Sequence, residues 1–341
     1  MLFNIFAESI FPIGVEITPG FVRMAQLGRD GGQITLIAGG GQSLPQGLEP
    51  YSGRWQRCVI DVVKSIYSSA PFKSKKAVTI IPSTDVLSKE IRKNLDKKDS
   101  EEIINTEARK LLPANSHGAI VKYIVLNQDS DLADEKDVLI LAAEKYKVER
   151  HLAIFEKAGL DATAVTVWPV VLVNCYTNFF ARRKTDVDSV VLLINAAATG
   201  CNAVICRQND ILFARAIPYG IDNLNESNDA EKPASEIEAC IRYFQNTIRT
   251  ATVERIILLA NEGIDSRLVR CVLNVAKKYA LPAHIGDTLA AVAANQDTYK
   301  RGIDSRGPKN DWTTVFGLSL SEYLAPAGVV AAGLNQECQY E

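Results

Sequence analysis

The sequence is poor in metal ligands. It holds three histidines in 341 residues, His117, His151 and His284, with no i, i+4 pairing and no neighbouring cysteine, so no metal site is expected. The seven cysteines are an odd number and none lies in a CxxC or CxxH setting, which excludes a disulfide framework and points to a reducing, cytoplasmic compartment. Cys201 and Cys206 read as small apolar side chains within strands. No segment approaches the roughly 18 consecutive apolar residues that span a bilayer. The opening MLFNIFAESIF lacks a positive n-region and a small-residue cleavage site. It reads as an arm packed on the first lobe, with a membrane-surface anchor through Leu2, Phe3, Ile5 and Phe6 as the rival. A net charge of −2 without a basic stripe interleaved with aromatics gives nucleic-acid binding no support. There is no P-loop lysine and no GxSxG elbow.

A core is present: 47% of residues are hydrophobic and 23% charged, and the length predicts two domains. The organising stretch is Ser189 to Leu224. It reads as a buried strand to Ile194, a small-residue turn at Asn195 to Gly200, a strand to Cys206, a polar reversal and a third strand to Ile217. Phe11 to Gly41 has the same plan, with a turn at Thr18 to Gly20. One constant offset places Glu16 on Asn195, Gln26 on Ile205, Ile34 on Phe213 and Gly41 on Gly220. Two related lobes facing each other are expected.

In chain order, the first strands lead to an amphipathic helix at 55–68 and a buried strand at 77–81 closed by Pro82. Residues 85–102, rich in both signs, read as a solvated helix face, followed by a helix to Leu112 that stops at Pro113. A strand at 119–127 and an acidic hairpin complete a small insert, about 85–136. Val138 to Ala143 reads as a central strand, 145–158 as a helix ended by Gly159, 162–167 as a strand, and Pro169 as the first turn of a helix to about 180. Trp168 reads as a plug of the seam between the lobes. The second lobe continues with helices at 233–250, 266–279 and 288–295 and strands at 255–259 and 283–285. A polar loop at 297–311, a last helix at 312–324 and a fraying Gly/Ala tail follow.

Strand triplet, helix, strand, helix, twice over, is the layout of the actin-like ATPase fold. The pieces GVEITPGFVRMAQL, EARKLLP with KYIVL, DVLILAAEKYKVERHLAIFEKAGLDATAVTV, the 189–224 triplet, VERIILLANEGI and VFGLSL resemble, in order, the type IV pilus assembly protein PilM family. That family is related to FtsA and to the cytoplasmic domain of GspL. The resemblance implies a two-lobed α/β actin-like (duplicated ribonuclease-H-like) fold with a small inserted α+β subdomain. Its first lobe would be 1–185, its second 186–311, and residues 312–341 would return to the first lobe.

An actin-like cleft needs backbone N–H groups around the phosphates, acidic strand ends for hydrated Mg²⁺ and a Gly-rich turn for adenosine. Matched to the family, the first loop is Glu16, Thr18 and Gly20, with Pro19 removing one N–H. The second is Asn195, Ala196, Thr199 and Gly200, where the family's Asp-Gly has become Asn-Ala. The third is Ala260, Asn261 and Gly263, with Glu262 placed toward the phosphates. The reading is a degenerate cleft with no catalytic residue, no ATP hydrolysis and no required cofactor, weak binding of ATP with Mg²⁺ remaining open. The rival reading is a working ATP/Mg²⁺ site organised by Glu16 that gates partner binding. A sugar-kinase-branch phosphotransferase would need a cleft aspartate that neither loop offers, and an FtsA-like filament former would need a basic C-terminal amphipathic helix that 328–341 does not have.

The resemblance also implies docking of the cytoplasmic N-terminal tail of an inner-membrane PilN-like partner, with the assembly motor ATPase as a further candidate partner. The protein would thus be cytoplasmic and peripheral to the inner membrane. The groove would use Leu111, Leu112, Pro113 and Tyr123 of the insert, with the Val78 to Ile81 edge (Val78, Ile80) opposite.

Overall fold

The computed structural model describes residues 9–94, 100–113, 118–126, 135–181, 186, 188–197, 200–225, 231–248, 251–260, 265–292, 311–321 and 329–332. The N-terminal arm, the acidic hairpin tip, His117, Thr199, Asn261, Glu262, Gly263 and the polar loop before Asp311 lie outside these residues.

The first lobe opens with β1 (Ser9–Ile17), β2 (Phe21–Asp30) and β3 (Gln33–Ser43), then α1 (Gly53–Ser69) and β4 (Lys76–Ile80). The insert comprises β5 (Leu87–Asn94), α2 (Ser100–Arg109), β6 (Ala119–Leu126) and β7 (Glu135–Glu144). The chain returns through α3 (Lys145–Ala158) and β8 (Asp161–Thr166) to α4 (Trp168–Cys175), which runs into a π-helical turn, Tyr176–Phe180. The second lobe holds β9 (Val190–Ala196), β10 (Cys201–Arg207), β11 (Asp210–Ile217), α5 (Glu231–Thr247), β12 (Arg255–Ala260), α6 (Ser266–Lys278), β13 (Ala283–Asp287) and α7 (Thr288–Ala291). The chain closes with α8 (Thr313–Ser319) and β14 (Val329–Ala332).

The duplication is visible in the sheets. One runs β3-β2-β1-β4-β8 and the other β11-β10-β9-β12-β13, with three antiparallel strands followed by two parallel ones in each. Glu16 faces Arg23 across β1 and β2 as Asn195 faces Asn202 across β9 and β10. The second and third strands carry a register shift at equivalent places, after Gln26 and after Ile205. Beyond it the first hairpin has four ladder pairs and the second two. The constant offset therefore holds for the first two strands only: Phe213 stands opposite Ile205 as Ala38, not Ile34, stands opposite Gln26.

Local chemistry explains the boundaries. Ser52 caps α1 by accepting from the Trp55 N–H, and Gly159 ends α3 in the left-handed conformation, φ 77°. Asp265 caps α6 through the Arg267 N–H. All of α4 is buried, and Trp168, Val170 to Val173 and Cys175 lie in a core cluster that draws on both lobes, from Phe11 and Leu27 to Val191 and Val204. The last helix belongs to this core as well. Ser319 Oγ donates to Pro12 O at 2.7 Å and accepts from Leu27 N at 3.0 Å, so α8 packs on β1 and β2 of the first lobe.

Three expectations for the insert are corrected. The charged segment 87–94 is strand β5, not a helix face; it is an edge strand whose Lys89 pairs with Glu107 of α2 and whose Arg92 pairs with Asp137 of β7. Val138 to Ala143 belongs to β7 in the middle of the insert's own sheet, β14-β6-β7-β5, so the insert extends to Glu144 rather than to 136. The tail includes a paired strand, β14, in place of fraying residues.

Two polar clusters fix the junctions. Asp85, at the entry to the insert, accepts from Tyr51 Oη at 2.8 Å and pairs with Lys147 Nζ at 2.7 Å, just past the exit. Arg255 of β12 pairs with Asp186 at 2.9 Å and donates to Tyr176 Oη at 2.8 Å, tying the second lobe to the crossing segment. The insert also approaches the second lobe, where Glu90 of β5 lies near Tyr243 of α5.

Candidate functional site

The duplicated sheets bring the ends of β1 and β9 toward the same place, the start of α8. In the first lobe the turn after β1 is closed locally. Thr18 N donates to Phe21 O at 2.9 Å, and Thr18 Oγ1 accepts from Phe21 N at 3.1 Å. The Thr18 hydroxyl is thus engaged in shaping its own turn. Behind it, Trp55 Nε1 donates to Pro19 O at 3.4 Å, anchoring the turn on α1. Gly20 has open space around it, with nothing within 4 Å of where a Cβ would stand.

Glu16 lies one residue before the end of β1. Its ladder partner Arg23 places Nη1 3.4 Å from Glu16 Oε2, and the guanidinium lies 4.0 Å over the Phe21 ring. Burial raises the Glu16 carboxyl to about 7. Arg23 opposes that rise, the nearby Asp311 carboxylate adds to it, and a hydrogen bond with the Thr314 side chain also opposes it.

In the second lobe Asn195 occupies the equivalent position at the end of β9. Its Nδ2 donates to Leu259 O at 3.1 Å and to Asp311 Oδ2 at 2.6 Å, so both amide hydrogens have acceptors. The other Asp311 oxygen accepts from Thr313 N at 2.9 Å, satisfying one of the free N–H groups at the start of α8. Asp311 therefore lies between the two strand ends: its carboxylate accepts from Asn195 and stands near the Glu16 carboxyl. Arg23, Asp311 and Thr314 were not singled out from the sequence. The Asp-Trp-Thr-Thr run at the end of a long polar loop is the signal that could have found Asp311, since it has the makings of a helix start.

The remaining cleft residues are less engaged. Ala196 pairs with Cys201 at the mouth of the second turn, and Ala197 N donates to Gly200 O at 2.8 Å. A Cβ on Gly200 would stand 3.1 Å from Ile217 O, a close backbone approach. Ala260 is the last residue of β12, opposite Asp287. Thr199, Asn261 and Gly263 fall outside the described residues. Chemically, the centre offers two carboxyl groups and a carboxamide, with Glu16 poised between its acid and carboxylate forms at neutral pH. Among the described residues no group of three or more His, Cys, Asp and Glu side chains could hold a metal ion.

The structure redistributes the groove residues. Val78 and Ile80 are buried in β4, which lies between β1 and β8 and so presents no edge; the edge of that sheet is β8. Tyr123, with Leu111, packs in the insert's own small core with Ile104 and Ala108 of α2, Leu112 is buried, and Pro113 is exposed. Strand alternation supplies the reason: odd-numbered residues of β6 face α2, and even-numbered ones face the lobes. The junction of insert and first lobe is formed instead by Ile81, Val86, Ile120, Ala143, Val148 and Val165. Lys122 Nζ donates across it to Val165 O.

A family model described as type IV pilus assembly protein PilM matches residues 14–230. Among solved structures, a PilM–PilN type IV pilus biogenesis complex superposes with a TM-score of 0.71 at 17% identity, covering 91% of this chain and 97% of that one. A Bacteroides thetaiotaomicron protein with an actin-like ATPase fold and unknown function follows at 0.49 and 10%, covering 83% and 92%. The ethanolamine utilization protein EutJ from Carboxydothermus hydrogenoformans matches at 0.44 and 11%, covering 93% and 91%. No helix among the described residues is long and apolar enough to cross a membrane. With the family model covering residues 14–230, more than half of the chain, this chain belongs to the type IV pilus assembly protein PilM family.

Proposed function

We propose that this chain is the cytoplasmic scaffold of a type IV pilus or type II secretion-like assembly platform. In this reading it binds the extended cytoplasmic tail of an inner-membrane PilN-like partner at the junction of the first lobe and the insert, and its interlobe cleft hydrolyses no ATP. The membrane is reached through the partner. The similar structure solved as a complex with PilN supports the partner class. The apolar cluster around Ile120, Ala143 and Val165, contributed by β6, β7 and β8, supports the location: an extended peptide pairing along β6 there gains main-chain hydrogen bonds and buries alternate side chains.

The observation that carries the loss of hydrolysis is the engagement of both strand ends: Mg²⁺ requires hard anionic oxygens, and Glu16 is already in contact with Arg23 Nη1 at 3.4 Å. Asn195 supplies no charge, and its N–H groups are already donated to Leu259 and Asp311. Bound ATP·Mg²⁺ would supply phosphoanhydride chemistry. What these residues support is a fixed contact between the lobes.

Two titrations test the reading. The first adds ATP and Mg²⁺ and follows heat and melting temperature, because a ligand of the folded state raises its stability. No shift at millimolar nucleotide is expected, and turnover of ATP that disappears in Glu16→Ala would overturn the proposal. The second adds the N-terminal tail peptide of the PilN-like partner. Binding weakened at least tenfold by Ile120→Asp or Val165→Asp is expected, and binding indifferent to both variants would place the tail elsewhere.

A further inference from the structure

The outer edge of the insert's sheet is taken by a strand from the far end of the chain. β14 pairs antiparallel with β6, with Val329 opposite Ile124, Val330 opposite Tyr123, Ala331 opposite Lys122 and Ala332 opposite Val121. β6 has eight residues and β14 four, so β14 covers only half of the β6 edge. The sequence keeps the strand short: Pro326 and Gly328 precede it, Gly333 follows it, and its four residues are small or β-branched and uncharged.

Such a strand is held weakly. Each main-chain hydrogen bond contributes little net free energy, and ordering each residue costs a comparable amount. What keeps β14 in place is its tether. It follows α8, whose last turn is fixed in the core through Ser319, by fewer than ten residues, so its local concentration at the edge is high. The strand it covers is the one that carries the junction side chains Ile120 and Lys122. The edge is therefore both protected from unwanted pairing and exchangeable.

We infer that β14 is an internal occupant of a strand-docking edge on β6, displaced when an extended apolar peptide supplied by a partner pairs antiparallel along the same strand. Partner engagement would then release the C-terminal tail. The inference rests on the tail-docking reading above for the source of the competing peptide; the occupancy of the edge by β14 can be tested with no partner present.

The experiment compares the full chain with the full-length double variant Val330→Pro, Ala331→Pro. Two adjacent prolines remove the strand's inward N–H whichever residue carries it. Amide hydrogen exchange is read at β6. The amides of Val121–Ile124 that point away from β7 should exchange at least tenfold faster in the variant, while those of Val138–Ala142 keep their protection. Equal protection of β6 in the two proteins overturns the inference. The PilN-like tail, tested on the same pair, should bind the variant at least tenfold more tightly. Equal binding to both overturns the competition and leaves the docking reading standing; binding to neither, with faster exchange at β6, sinks the docking reading and leaves β14 as the occupant.

Discussion

A Cβ on Gly14 would stand 2.0 Å from the carbonyl oxygen of Val315. The last helix thus rests directly on the backbone of the first strand, at a distance only glycine permits. Gly14→Ala is expected to destabilise the protein by about 1–3 kcal/mol or more, since the obstacle is backbone and cannot rotate away. Gly20→Ala, at a turn with open space, should be neutral or stabilising by up to about 1 kcal/mol. Denaturant unfolding of the two variants side by side checks both.

Glu16 and His151 give stability opposite pH dependences across nearly the same window. Glu16 is raised from 4.5 to about 7, so the folded state holds the extra proton; this contribution is full below pH 4.5 and is lost as pH rises toward 7. Glu16→Gln should therefore gain on the wild type as pH rises, approaching about 3 kcal/mol above pH 7, from a shift of that size at about 1.4 kcal/mol per unit.

His151 is lowered by burial from 6.5 to about 4. The folded state excludes the proton, so stability is full above pH 6.5 and falls as pH drops toward 4. Thr79 Oγ1 donates to Val15 O at 2.9 Å, so the ring must offer Nε2–H across its 2.8 Å contact with that hydroxyl. His151→Gln keeps a donor in reach and removes the titration. Its unfolding free energy should lose the pH 4 to 6.5 slope that the wild type carries, and an unchanged slope would show the histidine is not its source.

The entry and exit of the insert are joined through Asp85. Tyr51→Phe should cost about 1 kcal/mol, one hydrogen bond to a carboxylate, and Asp85→Ala about 2 kcal/mol because it also strips Lys147 of a partner. Hydrogen exchange should accelerate first at β5 and at the start of α3.

Arg255→Ala removes the guanidinium from buried Asp186 and from Tyr176 at the lobe crossing, with an expected cost of about 3 kcal/mol. Arg255→Lys should recover only part, since an ammonium cannot span both acceptors in the same geometry. Thermal unfolding of the two variants measures the difference.

The lobes were legible because their strands are apolar runs and their turns are marked by small residues, and Glu16 and Asn195 were found from the repeat of that pattern. The insert was not. β5, LSKEIRKN, is charged because it is an edge, and β7 read as a lobe strand because it is buried on both faces between α2 and the interlobe core. Tyr123 was assigned to a groove although strand parity turns it toward α2. The cleft's third member, Asp311, meets Asn195 across 116 positions, a relationship no local pattern carries.

The bond between Ser319 and Pro12 spans 307 positions. β1 therefore leaves the ribosome long before the helix that covers Gly14 exists. At about 5–20 residues per second the first lobe waits on the order of 15 to 60 s for its last wall. Until then its central strand has one face uncovered, so the newborn first lobe is a client for chaperones, and a stop codon a few dozen residues early would yield a protein with both sheets translated and the first lobe left open.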